Sequence, residues 1–262
     1  MNDKRHYFAL SIKNTFRLRT LLALSALIQT ILLTLLPYSL ALLPALFFTL
    51  HSAISTLADT LTPSESPLLH RVIPGRTTAV IPSWYAGGYS NSSSGQTPLV
   101  VFHMVIGFNH PLGVLCPGGR AIASAMNGIK EVLDSKREEF GVVGWSKWMG
   151  MEREAGNKMM MVVYFRTASG LEKFAACEEH REAVEAVEGA RGYVSVVHET
   201  FEAAPGRWGF VAVDSEPVLL GDGACRIMDE KGAWVWVRSL VRDEGSVVRG
   251  LLGMLGRGQE RR

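Results

Sequence analysis

The residues best suited to chemistry in this chain are His198, Arg166 and Tyr164, with Trp145, Trp148, Asn109 and His103 as candidates for lining a substrate pocket. Histidine transfers protons near neutrality, and a guanidinium or phenol stabilises a developing oxyanion. His198 reads equally well as a histidine hydrogen-bonded to a neighbouring strand or helix, and Glu199 reads as a surface or interface carboxylate. No second histidine or carboxylate stands at metal-ligand spacing, so no metal site is expected. Gly118-Gly119 lacks the flanking pattern of a dinucleotide or phosphate loop, which argues against a bound nucleotide or FAD. Cys116, Cys177 and Cys225 are far apart and odd in number, so they read as ordinary thiols of a cytosol-facing domain.

These side chains need a scaffold, and residues 98–205 supply one. Apolar runs and amphipathic segments alternate there as strand, helix, strand, strand, helix, strand, the ferredoxin-like α+β pattern. Leu99–Gly107 is a continuous apolar run of strand length. Ile122, Met126, Ile129 and Leu133 then form one apolar helix face. Gly141–Glu152 and Lys158–Arg166 read as a hairpin turning at Arg153–Asn157. Ser169 and Glu172 fit a capping box opening a second helix, broken near Cys177–His180 and resuming to Val187. The run Gly192-Tyr-Val-Ser-Val-Val-His-Glu-Thr-Phe-Glu202 closes the pattern.

Alternation puts Tyr164 and Arg166 on one face of their strand, and Val194, Val196, His198 and Thr200 on one face of theirs. Trp145 and Trp148 fall on opposite faces, so at most one of them lines a pocket. A sheet with helices on one side leaves its other side bare, and face-to-face dimerisation would cover it. Tyr164, Arg166 and His198 are therefore expected on the uncovered face.

The chain has 262 residues and a net charge of +2, and its basic residues form no stripe beside aromatics, so no nucleic-acid partner is implied. Thr20 to Ala58 contains no Asp, Glu, Lys or Arg. This exceeds the roughly 20 apolar residues that span a bilayer, so residues 20–58 are expected to be a transmembrane segment. Pro37-Tyr38-Ser39 divides it, and both one tilted span and a hairpin fit. Lys4, Arg5, Lys13, Arg17 and Arg19 make residues 1–19 a basic cytoplasmic N-terminus. The expected setting is the endoplasmic reticulum membrane with the main domain facing the cytosol and lipid as a partner. Asn91-Ser92-Ser93 would be a glycosylation acceptor only if a single span carried the domain into the lumen.

Residues 59–97, rich in Ser, Pro and Gly, read as a linker in which Arg71–Ile81 is a candidate edge strand. Residues 206–262 read as an extension packing on the same domain. It has strand-like pieces at Trp208–Val213 and Ala233–Arg238, a short basic amphipathic helix at Ser246–Leu255, and Arg257, Arg261 and Arg262 in a solvated tail.

Taken together, Pro74–Ala79, Ile106–Asn109, Tyr164–Arg166 with Leu171-Glu172 and His180-Arg181, Gly192–Thr200, Val211–Val213 and Leu219–Gly221 resemble a fungal family. Its members are monooxygenase-like proteins of secondary-metabolite clusters, related to antibiotic-biosynthesis monooxygenases. The resemblance covers residues 72–222. It implies a dimeric α+β barrel, a homodimer, and oxidation of a small apolar polyketide- or terpenoid-type substrate. Molecular oxygen would be the co-substrate and no bound cofactor would be needed, the electrons coming from an enolisable or phenolic substrate. On that analogy His198 is the base, Arg166 and Tyr164 the oxyanion stabilisers, and Trp145 or Trp148 the aromatic wall. Related barrels that ligate haem through one histidine would make His198 the iron ligand instead. A non-catalytic ligand-binding or assembly partner with the same barrel is the alternative function. The loop after the first strand departs from the family pattern, with His110, Pro111 and a Pro-Gly-Gly turn where an arginine and bulky aromatics are expected.

Overall fold

The computed structural model describes residues 18–62, 71–81, 97–150, 158–228 and 233–242, with positions 16, 66 and 69. The hairpin turn at Arg153–Asn157, Asn91, much of the linker and the helix expected at Ser246–Leu255 with its terminal arginines lie outside those residues.

Near the N-terminus, α1 (Leu18–Leu35) and α2 (Tyr38–Leu61) are both long and apolar enough to cross a membrane. Pro37 separates them because its ring denies the helix an N–H donor. The two helices meet close to the turn, where Gln29 Nε2 donates to the Ala41 carbonyl at 3.0 Å and Ala41 is fully buried.

The expected alternation of strands and helices follows. It comprises β2 (Leu99–Phe108), α3 (Gly119–Ser135), β3 (Val142–Gly150), β4 (Lys158–Phe165), α4 (Ala168–Ala175), α5 (Glu178–Gly189) and β5 (Val194–Ala203). The sheet order is β3-β4-β2-β5, antiparallel throughout. This is the ferredoxin-like α+β arrangement. Ile122, Met126, Ile129 and Leu133 are all buried, and they pack on Phe102, Met104, Ile106, Met161 and Val163 in one core. Phe174 of α4 sits at its centre, with ring centroids 6.3 Å from Phe102, 6.0 Å from Phe140 and 5.8 Å from Phe165.

The Pro-Gly-Gly turn before α3 has a packing reason. Gly118 has φ +79°, and a Cβ there would come within 2.8 Å of the Ala190 Cβ at the end of α5. Close approach of α3's start to α5's end requires glycine.

Three expectations are corrected. The cap of α4 is Thr167 rather than Ser169: its Oγ1 accepts from the Gly170 N–H at 3.2 Å. The helix therefore starts two residues before the capping box would place it. The segment read as an edge strand, β1 (Ile73–Ala79), instead forms the middle of a separate three-stranded sheet, between β6 (Val211–Ser215) and β9 (Leu240–Arg242). The far face of the main sheet is also only half bare. Leu220 and Cys225 from the C-terminal extension, with Ala79 and Ile81, pack on Leu99, Val143, Val162 and Tyr164. A third sheet of two strands, β7 (Ala224–Met228) and β8 (Trp234–Arg238), belongs to the extension.

Candidate active site

Strand register decides which candidates share a face. In β2, Val100, Phe102, Met104 and Ile106 point under the helices. By alternation, Leu99, Val101, His103 and Val105 point the other way. Tyr164 stands opposite Val101, whereas His198 stands opposite Met104. His198 is therefore on the helix-covered face, across the sheet from Tyr164, and the expectation that it joins Tyr164 and Arg166 on the uncovered face is corrected. The sequence gives the period within each strand but not the phase between strands.

On the helix side, the His198 ring lies 5.3 Å from Phe102 and 6.2 Å from His180 of α5. It remains exposed because β5 is an edge strand. Partial burial lowers the pKa of both histidines, and for His198 the neighbouring His180 lowers it further. Trp145 is on this side too: its Nε1 donates to Asp134 Oδ1 at 2.9 Å, and the Lys130 ammonium lies 5.7 Å from its ring centre.

Tyr164 and Arg166 lie under the extension. Burial raises the Tyr164 phenol. The Cys225 thiol is also raised by burial, which outweighs the opposing pull of the Arg166 and Arg137 guanidinium groups. Asn109, at the other end of β2, donates its backbone N–H to the Tyr193 carbonyl at 2.7 Å. It is thus separated from Arg166 by the length of the strand.

The bare half of the far face carries the remaining candidates. His103 Nδ1 lies 3.0 Å from Glu199 Oε2, and the Phe201 ring meets His103 edge-on at 5.6 Å. Around them are Val105, Met160, Val197 and Trp148, with Val197 59%, Phe201 49% and Trp148 40% exposed. The two tryptophans do occupy opposite faces, with Trp148 on the bare one. From the sequence Glu199 reads as a surface or interface carboxylate. Only the β2–β5 register pairs it with His103, and no signal within either strand reveals that pairing.

Among the described residues, no group of three or more His, Cys, Asp or Glu side chains could hold a metal ion. A groove of about 490 Å³ between the end of α3 and the extension is polar, spanned by Arg226 and Glu138 at 2.8 Å, and contains none of the candidate residues.

Residues 99–220 match the family described as monooxygenase af470-like. Across 248 residues the chain is 33% identical to "Monooxygenase af470" of Aspergillus fumigatus, covering 94% of this chain and 90% of that protein. Similar solved structures include SnoaB, a cofactor-independent oxygenase from Streptomyces nogalater. It shows 10% identity over 40% of this chain and 92% of that one, with a TM-score of 0.29. A putative antibiotic biosynthesis monooxygenase from Caulobacter crescentus shows 11% identity over 42% and 93%, with a TM-score of 0.31. These structural likenesses are too distant to bear on activity.

Proposed function

The chain belongs to the monooxygenase af470-like family and is a monooxygenase, and from that premise we propose that it oxidises an apolar polyketide- or terpenoid-type intermediate of secondary metabolism at a membrane. Molecular oxygen is the co-substrate, and the substrate itself supplies the electrons. The observation that carries this reading is the bare half-face of the sheet, where Val105, Met160, Val197, Phe201 and Trp148 surround one acid–base pair. An apolar substrate fits such a surface, and a charged metabolite does not.

In this reading α1 and α2 cross the bilayer as a hairpin, which returns the chain to the side of its basic N-terminus, the cytosolic face of the endoplasmic reticulum. The anchor holds the enzyme where an apolar intermediate concentrates. A second copy laid over the half-face gives a homodimer and removes water from exposed Trp148, Val197 and Phe201. His103 and Trp148 contact the substrate, and Tyr164 with Arg166 stabilises oxyanion charge at the buried end. His198, across the sheet, takes no part.

The full chain in detergent is tested with an oxygen electrode on phenolic and enolic substrates under isotopically heavy oxygen. One heavy oxygen atom per product molecule is expected, with a protein spectrum showing only aromatic absorption. Two heavy atoms, or no oxygen uptake, would sink the oxidation proposed here, and an intense haem band would overturn the cofactor-free reading. For the anchor, alkaline carbonate should leave the full chain in the membrane and release a chain lacking residues 1–62.

A further inference from the structure

We propose that His103 is the proton acceptor for a phenolic or enolic substrate, with Glu199 as the residue that positions it; the inference rests on the reading above and names the base of that site.

A cross-strand pair of opposite character can itself stabilise a sheet, but this one is set in an apolar surround: among the described residues every other side chain directly beside it is apolar. Along β2 the same-face neighbours are Val101 and Val105; along β5 they are Val197 and Phe201; and on β4 the partner of His103 is Val162. Of the titratable groups on this face among the described residues, Glu199 faces His103 from β5, β4 contributes the buried Tyr164 phenol one pair away and Lys158 two pairs away at the other end of the strand, and Ser146 of β3 carries no charge. Among the described residues, no polar network continues beyond the two to account for them.

The geometry suits proton transfer. A carboxylate only accepts, so the 3.0 Å contact to Glu199 Oε2 requires the hydrogen on His103 Nδ1, and in the neutral imidazole this leaves the lone pair on Nε2. The carboxylate thereby fixes the tautomer, and the Phe201 ring packs against the imidazole in a T-shaped contact. In the step, the O–H bond of the substrate breaks and an N–H bond forms at Nε2. The electron pair stays on the substrate oxygen as phenolate or enolate, no electron changes hands, and the resulting imidazolium faces Glu199. The electron-rich anion is the form that reacts with oxygen.

The same rows bound the substrate. Trp148, Met160, Val105 and Val197 form one line across four strands, next to the line Ser146, Val162, His103 and Glu199. With strands about 4.8 Å apart, the apolar line is roughly 14 Å long. That matches a flat polycyclic body laid beside the base, its hydroxyl directed at His103.

The test reads proton transfer without requiring the native substrate or oxygen chemistry. Full-length protein in detergent, buffered below the ionisation of 4-nitrophenol, is titrated with that phenol. The phenolate absorption band and binding by equilibrium dialysis are recorded together. The wild type is expected to generate the band. H103Q should weaken it by at least about tenfold with binding retained. H103A should recover it on addition of imidazole, a readout that a merely structural role would not give. E199Q should lower the band while leaving probe binding unchanged. No band in the wild type at millimolar probe overturns the proposal, as does a band that persists in H103Q or a loss in H103A that imidazole does not restore. A phenolate band in a protein that consumes no oxygen would leave His103 as the base and remove the oxidation proposed above, so the two failures are separable.

Discussion

His198 stands opposite Met104 in the β2–β5 ladder, and the two lie on the face that the helices cover. This pairing moves the histidine away from Tyr164 and beside His180, with a consequence for acid stability. Both histidines have folded-state pKa values below their ordinary 6.5, because partial burial disfavours the imidazolium. The unfolded chain therefore binds more protons than the folded one as pH falls below about 6.5. Stability should decline from that point downward and level off once the folded-state histidines have also titrated. Urea midpoints at a series of pH values check this, and the double substitution His180→Gln with His198→Gln should flatten the decline.

Phe174 anchors the core from a helix of only eight residues, so its removal is severe. It is 1% exposed and in ring contact with Phe102, Phe140, Phe165 and His180. Phe174→Ala should cost about 3–5 kcal/mol in chemical denaturation. A loss below about 1 kcal/mol would mean that the ring cluster does not hold α4 to the sheet.

The cap of α4 distinguishes two neighbouring hydroxyls. Thr167→Ala removes the bond to the Gly170 N–H and should cost about 1 kcal/mol. Ser169→Ala, inside the helix, should be close to neutral. Equal losses would return the cap to the serine.

Close backbone contact seats the C-terminal extension on the sheet. A Cβ at Gly144 would fall 2.9 Å from the Gly223 Cα, and Cys225 beside it is 2% exposed. Gly144→Ala should lift the extension and raise the labelling rate of the Cys225 thiol by at least about tenfold, since roughly 1.4 kcal/mol of local opening suffices. Mass spectrometry of labelled peptides separates this thiol from Cys116 and Cys177. Unchanged labelling would show that the contact does not hold the extension down.

Arg137 ties the same region together from the other side. Its Nε donates to the Val142 carbonyl at 3.1 Å, a second guanidinium nitrogen donates to the Val143 carbonyl, and Trp236 lies 5.4 Å from its centre. Arg137→Met keeps the apolar stem and loses the donors, so about 1–3 kcal/mol of stability should disappear. Arg137→Lys should recover only part of it, because an ammonium cannot reproduce the planar fork.

The sequence by itself determined the features that depend on local period and composition. The buried helix face of Ile122, Met126, Ile129 and Leu133, the strand at Leu99–Gly107, the break near Cys177 and the apolar segment interrupted at Pro37 are each written within a few turns of chain. Alternation also put Trp145 and Trp148 on opposite faces, because that relation lies inside one strand. Tertiary structure decided everything that depends on the offset between strands. His103 meets Glu199 across 96 positions of sequence, and His198 is turned from Tyr164 by the same register. The sheet's far face is half covered because β1 joins β6 and β9 instead of the main sheet. A one-residue slip would reverse each assignment without changing any local pattern, so only the packed chain fixes which side chains share a site.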